Sequence, residues 1–435
     1  MTPQARLATR EFFGIKLGLD TMRALCAALG DPQRTFFPVI VAGTNGKGSV
    51  SAMTAHALTR AGHRTGRYTS PHLVHLRERF AVDDVDASDA QLDAALAEVF
   101  AAEDALLTAG TIPAAATYFE LTTAAAFALF RNAGVRVAVV EVGLGGRHDA
   151  TNVVEASVAA ITSIAFDHMA HLGDTLEAIA SEKAGVIMPG ATVVSGVTQP
   201  GPATVIADTC ARQGARLVRA DHEVQVEATT TKGETTLRLE TPERAYGPLP
   251  LALRGSHQVG NAIVAVRLLE AMDAGGVAVP ADAIVDGLSG ARWPGRLERR
   301  QLPGNVPLIL DGAHNPAGAL ALAAWLREAG LARVTLVTAC MRDKDVEGLL
   351  RPLLPLAVRV VATAVAFPRA LPADELAAQI ARLAPGLPVE HRATPAEALG
   401  LASQYGDSVV VAGSLFLVGA VRGVLDEVAG QPDPA

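Results

Sequence analysis

The stretch Gly43-Thr44-Asn45-Gly46-Lys47-Gly48-Ser49 has the composition of a loop that holds phosphate. Glycines at 43, 46 and 48 permit positive φ and a close backbone approach, so successive N–H groups can surround an anion's oxygens. The loop follows an apolar run at 36–42 and opens a helix-like stretch at 47–61, which aims a helix N-terminus at the same anion. Lys47 can neutralise β- and γ-phosphate charge, and Ser49 can ligate Mg²⁺. Gly48 stands between Lys47 and Ser49, so the spacing departs from a strict Walker A motif. A ligand-free glycine-rich turn is the alternative reading. Basic residues are mostly Arg, with Lys only at 16, 47, 183, 232 and 344, so a lysine at a motif position carries extra weight.

A second group of residues falls on the same edge. The run 135–142 reads as a buried strand that delivers Glu141 to its carboxyl end, ahead of Gly143-Leu144-Gly145-Gly146. Ligands of open α/β sheets sit outside the carboxyl ends of the strands, which puts Glu141 beside Ser49. The next run, 157–164, leads into Asp167-His168, and Glu182-Lys183-Ala184-Gly185 closes a later helix. Singly, Glu141 reads as a solvated cap and His168 as an ordinary hydrogen-bonded side chain. Together, beside a phosphate loop, a carboxylate and an imidazole point to a divalent metal. An ammonium at Lys183 would be repelled by Mg²⁺. Carboxylation of its amine by CO₂ would instead give a carbamate with hard oxygen ligands. The alternative is a salt bridge from Lys183 to Glu182 or Asp167.

The elements that must position these groups follow from the pattern of apolar runs. Strand candidates at 36–42, 135–142, 157–164 and 191–196 alternate with helical stretches at 119–131, 175–184 and 202–213, which argues for a mostly parallel sheet covered on both faces. Residues 216–253 break that rhythm with period-two segments around Lys232-Gly233, the mark of an antiparallel hairpin insert, and a helix at 257–273 follows. Pro294 and Gly295 mark a linker, beyond which strand candidates at 306–310, 334–339, 358–365 and 409–412 alternate with Ala/Leu-rich helices. The predicted fold is α/β. It comprises an N-terminal, mostly parallel P-loop ATPase domain with a small antiparallel insert, residues 1–292, and a smaller Rossmann-like C-terminal domain, residues 299–435.

Composition limits the partners. A chain of 435 residues with net charge −8 has no global basic field for nucleic acid or an anionic membrane. No apolar run reaches the roughly 18–20 residues that a membrane span needs. The N-terminal segment, with Arg6, Arg10, Glu11 and Lys16, is too mixed for a signal sequence, and a polar tail occupies 431–435. Cys26, Cys210 and Cys340 are few and scattered, as expected in a reducing compartment, so the chain reads as cytoplasmic; a monomer is expected.

Several further segments, in order, resemble the folylpolyglutamate and dihydrofolate synthases of the Mur-ligase superfamily. They are the phosphate loop; Ser70-Pro71-His72-Leu73 with Glu78-Arg79; Thr117-Tyr118-Phe119-Glu120; Glu141 to Gly146; Asp149-Ala150-Thr151-Asn152; and Asp167-His168. The series continues with Ser181-Glu182-Lys183-Ala184-Gly185, Gly255-Ser256-His257-Gln258 with Asn261, Pro294-Gly295-Arg296, and Asp311-Gly312-Ala313-His314-Asn315-Pro316. The resemblance implies an active site in the cleft between the two domains. ATP would lie on Thr44, Asn45, Gly46, Lys47, Gly48 and Ser49, met from the far side by Asn261, Arg296, Asp311 and His314. Ser49 and Glu141 would hold one Mg²⁺, and Glu141, His168 and carboxylated Lys183 a second. Ser70, Pro71 and His72, with Thr117, Phe119 and Asp149, match the pterin-side pocket, although His148 stands where bacterial relatives commonly have Leu. Lys344 matches another loop facing the cleft.

The reaction so implied joins a carboxylate of dihydropteroate or a folate to the amine of L-glutamate. ATP activates the carboxylate as an acyl phosphate, with Lys47, His168 and Lys183 as the catalytic groups. Three other readings stay open: a Mur-type ligase on another carboxylate, a P-loop kinase or GTPase, and a non-catalytic nucleotide-binding module. Glutamate-dependent ADP release separates them.

Overall fold

The structure is a computed structural model that describes residues 1–10 and 18–429. Glu11, Lys16 and the tail at 431–435 lie outside them. Strand β1 (Phe37–Ala42) shows why the sheet is covered twice. Its side chains alternate, Ile40 and Ala42 entering one apolar core while Val39 and Val41 enter the other. A strand buried on both faces must be apolar at every position, and this run is.

The large sheet also holds β2 (Thr65–Tyr68), β3 (Phe80–Val82), β4 (Val85–Asp86), β5 (Val137–Glu141), β6 (Val158–Ile161), β7 (Thr192–Ser195) and β8 (Arg216–Arg219). Its order is β4-β3-β2-β5-β1-β6-β7-β8. From β2 to β8 all neighbours are parallel; β3 runs against them, and β4, antiparallel to β3, turns back to their direction. The carboxyl ends of β5, β1 and β6 are therefore side by side, in register at Val41 with Glu141 and at Ala42 with Ile161. Parity adds a further constraint. Glu141 shares the face of Val137 and Val139, the same face on which the helix Lys47–Arg60 packs.

Three strands escaped the sequence reading because they are short or carry charge: β2 includes Arg67, and β3 and β4 are brief. The expected insert starts later than residue 216. Arg216–Arg219 pairs in parallel with β7 and completes the large sheet. The insert proper is a three-stranded antiparallel sheet of β9 (Gln225–Thr231), β10 (Glu234–Glu240) and β11 (Ala245–Leu251). Lys232 and Gly233, with φ of 53° and 78°, make the two-residue turn between β9 and β10. The edge strand β11 contains Pro248 and a register shift, which obscures its alternation in the sequence.

The C-terminal sheet has the order β12-β13-β17-β14-β15-β16, from β12 (Glu298–Leu302), β13 (Val306–Leu310), β14 (Val334–Thr338), β15 (Ala357–Ala362), β16 (Val389–His391) and β17 (Ser408–Ala412). Apart from antiparallel β12 it is parallel, with apolar cores on both faces. The expected strand at 358–365 stops at Ala362, and β12 and β16 are additional. The insert reaches across to this domain: buried Trp325 donates its Nε1–H to Gly233 O at 3.0 Å. Among the described residues no helix is long and apolar enough to cross a membrane.

Candidate active site

Gly43 and Gly46 adopt φ of 142° and 88°, conformations that the loop could not reach with larger residues. The loop is tied to the segment after β6. Asn45 N–H donates to Ser163 Oγ at 3.0 Å, Thr162 Oγ1 donates to Asn45 O at 2.6 Å, and Thr44 N–H donates to Ser163 O at 2.8 Å. Lys47 folds back so that Nζ donates to Gly43 O at 3.1 Å and Thr44 O at 3.3 Å. Ser49 is buried, and its Oγ accepts a bond from Gln258 Nε2 at 3.1 Å. Gln258 is itself held by Asn261 Nδ2 at 2.8 Å, and the Asn261 carboxamide lies where a Cβ on Gly46 would be. Asn261 thus meets the phosphate loop from the helix His257–Ala274.

Glu141 is 4% exposed, and its Oε2 has no hydrogen-bond partner. Burial pushes its carboxyl up to about 7, against the opposing pull of Lys47, the Ser70 backbone, Arg296 and Arg67. Arg296, from the linker between the domains, therefore acts on the same carboxylate as Lys47. Lys183 is 5% exposed, and Nζ donates to Gly43 O at 2.9 Å. The salt bridge to Glu182 or Asp167 is not what forms: no such ion pair occurs, and Glu182 faces Arg147 at 4.0 Å. Burial and the charge of Lys47 push the Lys183 amine down to about 7, against Asp167 and Asp149. At that value much of it is the neutral amine, the form that captures CO₂.

His168 does not end a strand, because β6 stops at Ile161. It stands in a loop at φ 51°, where its own N–H is held by Asp167 Oδ1 at 2.8 Å. Burial, with help from Lys344, His314 and Lys47, keeps its imidazole at about 4 against Asp167, so it is neutral at physiological pH and free to ligate. Among the described residues no three His, Cys, Asp or Glu side chains converge as a ready-made metal cage. The orphaned Glu141 oxygen nevertheless suits a hard divalent cation in its chemistry, as do the Ser49 hydroxyl and the neutral His168 imidazole, and carboxylation of Lys183 would add further oxygens.

Asp167 is one point where the two domains meet. Its carboxylate, 7% exposed, forms an ion pair with Lys344, accepts Asn315 Nδ2 at 3.2 Å and lies 3.5 Å from His314 Nε2. Burial alone would raise this carboxyl, but His314, His168 and Lys344 hold it well below the usual carboxylate range. Asn315 also donates to Asn45 Oδ1 at 3.0 Å while accepting Gly318 N–H as N-cap of the helix Pro316–Glu328. His314 Nδ1 bonds Gly312 O at 2.8 Å. Asp311 anchors its own loop, accepting Leu297 N–H at 3.0 Å and Ala313 N–H at 2.9 Å.

The residues matched to the pterin side adjoin these groups, with the Ser70 backbone bonding Glu141. Glu78 accepts the N–H groups of Leu73, Val74 and His75 at 2.7, 2.9 and 2.7 Å, fixing the loop that carries Ser70, Pro71 and His72. His72 Nδ1 accepts Arg79 Nε at 2.9 Å, and burial together with Arg79 holds its ring at about 4. Thr117 caps the helix Tyr118–Asn132, which presents Phe119 so close to Gly143 that a Cβ there would lie 2.5 Å from the ring. Asp149 is a loop organiser: its carboxylate takes Leu144 N–H at 2.8 Å, Thr151 N–H at 3.0 Å and Thr151 Oγ1 at 2.5 Å. His148 is exposed. Sequence reasoning gave no role to Gln258, Arg67 or Trp293, and saw Asp167 as the neighbour of His168 and a candidate partner of Lys183, not of Lys344, His314 and Asn315. Their contacts span more than a hundred residues or cross the linker, where local patterns carry no signal.

Residues 41–269 match the Mur ligase middle domain, and residues 295–415 match the Mur ligase glutamate ligase domain. The chain is 39% identical to the dihydrofolate synthase/folylpolyglutamate synthase of Mycobacterium tuberculosis over 374 residues, 82% of this chain and 76% of that protein. It is similar in structure to M. tuberculosis folylpolyglutamate synthase complexed with ADP, with TM-score 0.91, 36% identity, and coverage of 99% and 98% of the two chains. A bifunctional folylpolyglutamate synthase/dihydrofolate synthase with Mn, AMPPNP and L-glutamate bound matches with TM-score 0.83 and 32% identity over 98% of each chain.

Proposed function

This chain belongs to the dihydrofolate synthase/folylpolyglutamate synthase family of Mur ligases, and from that membership we propose how its residues divide the work of an ADP-forming amide ligase. The enzyme uses ATP to join L-glutamate to dihydropteroate or to reduced folates, and we read it as bifunctional. The observation that carries the site assignment is the buried Glu141 carboxylate, one oxygen unpartnered, in the field of Lys47 from the phosphate loop and Arg296 from the linker.

A carboxylate is a poor electrophile, and both it and the γ-phosphate are anionic. Lys47 and the N–H groups of residues 44–49 hold the phosphates and screen that repulsion. Ser49 and Glu141 would hold one divalent cation, and Glu141, His168 and carboxylated Lys183 a second. When bound, such ions neutralise phosphate charge and orient the transferred group. Gln258 orients the Ser49 hydroxyl, and Asn261, Arg296, Asp311 and His314 face the nucleotide from the second half of the cleft. Ser70, Pro71, His72, Thr117 and Phe119 shape the pteroyl pocket, and Asp149 sets it from beneath. Residues 1–292 and 299–435 close on one another through Asp167, excluding water from the acyl phosphate until the glutamate amine attacks.

The Lys183 carbamate forms when the neutral Nζ attacks CO₂ and releases a proton. Loading with ¹³C-bicarbonate should give a carbamate resonance that Lys183→Met lacks. Equal spectra from the two proteins would rule the modification out. The function is tested by paired assays of glutamate-dependent ADP release with dihydropteroate and with tetrahydrofolate. Release that does not depend on glutamate would overturn the ligase reading, and a response to one acceptor alone would refute bifunctionality.

A further inference from the structure

Gly48 is the residue that separates this loop from an ordinary Walker motif, and its backbone does not explain it. Unlike Gly43 and Gly46, Gly48 has no positive φ, so an alanine would be conformationally acceptable there. What occupies the space is Trp293, 245 residues away in sequence, whose Cε2, Cζ2 and Nε1 would each lie 2.6 Å from a Cβ on Gly48. The ring rests directly on the backbone between Lys47 and Ser49, in the first turn of the phosphate helix.

The same ring is held by a cation. The Arg67 guanidinium carbon is 5.0 Å from the Trp293 ring, and Arg67 Nε is buried without a hydrogen-bond partner. Trp293 also stands at the start of the linker. Gly295, two residues on, donates to Glu298 at 2.8 Å and accepts Gly312 N–H at 2.7 Å. Trp293 thus stands two residues before the bonds that tie the linker to the C-terminal domain, with its indole seated against the phosphate helix.

We propose that Trp293 is a positioning residue, a wedge that seats Lys47 and Ser49 and couples the interdomain linker to the phosphate loop, with Gly48 present to admit the indole. The inference rests on the nucleotide assignment of that loop made above. It accounts for a glycine that phosphate binding by itself does not require at a negative φ.

A double-mutant cycle separates this role from others, read as the Kd for Mg·ADP by calorimetry on the full chain. In the parent background Gly48→Ala should weaken ADP at least about tenfold, because the new methyl displaces the helix turn from the indole. In the Trp293→Ala background the same change should cost no more than about twofold. Trp293→Ala alone should weaken ADP, while Trp293→Phe, which keeps a flat ring, should stay within about threefold of the parent. An equal loss from Gly48→Ala in both backgrounds overturns the inference, because the glycine would then serve the phosphate itself. Should Trp293→Ala fail to fold, Trp293→Leu carries the cycle with the same criteria. A parent protein that does not bind ADP would sink the nucleotide assignment instead, so the two failures are distinguishable.

Discussion

Asp167→Asn keeps the shape of the side chain at the domain junction and removes its charge. The carboxylate is 7% exposed and its partner Lys344 14% exposed, so the pair is largely out of water. Removing one member of a buried ion pair typically costs about 3–5 kcal/mol, because the other charge is left uncompensated. Lys344 can turn toward solvent when the cleft opens, so the cost falls at or just below the lower end of that range, about 2–3 kcal/mol on the closed state. That is roughly thirtyfold to 150-fold in the balance of closed to open forms. Glutamate-dependent ADP release should therefore fall at least about thirtyfold in kcat/KM, and small-angle scattering should report a larger radius of gyration. Lys344→Met breaks the same pair, so the double variant should be no worse than either single one. The Asp167 carboxyl is held far below its ordinary value, so this contact should persist unchanged from about pH 5 to about pH 8. Near-parent turnover with unchanged scattering, or additive losses in the double variant, would refute the reasoning.

Lys47→Ala should abolish ADP formation with folate and glutamate both present, and turnover near the parent rate would remove the loop from the mechanism. Glu141 gives a pH signature in metal binding. A cation binds the ionised carboxylate, whose folded value is about 7, so affinity is full above that value and lost as pH falls through it. Mn²⁺ binding without nucleotide, followed by paramagnetic resonance, should weaken about tenfold from pH 8 to pH 6. Lys183, poised at about 7, can only steepen that slope, since its protonated form repels the ion. A flat profile, or the same slope in Glu141→Gln, would count against Glu141 as a ligand. The same shifts bear on stability. Native Glu141 binds protons more tightly than the unfolded chain, so its contribution falls as pH rises from about 4.5 to about 7. Native Lys183 binds them less tightly, so its contribution rises from about pH 7 to about 10.5, and thermal melts of Glu141→Gln and Lys183→Met should each lose the corresponding slope.

What the sequence determined by itself was local. The apolar run ending at Ala42, the glycines at 43 and 46 and the helix from Lys47 required a strand, a positive-φ loop and a helix N-terminus, and those form. The apolar run at 135–142 already placed Glu141 at the carboxyl end of a buried strand, although the face that the phosphate helix covers is decided by packing. The short charged strands at 65–68 and 216–219 were hidden because their burial depends on neighbours, not on their own composition. Only the tertiary structure decided which groups meet. Lys344 reaches Asp167 over 177 residues, Asn315 reaches it over 148, and Gln258 reaches Ser49 over 209. Each of these contacts depends on how helices pack on the sheet and how one domain sits on the other. Periodicity and capping operate over a few residues and cannot encode that placement. The low values of the Asp167 carboxyl and the His168 ring, the high value of Glu141 and the glycine at 48 follow from those long-range contacts and the burial they create.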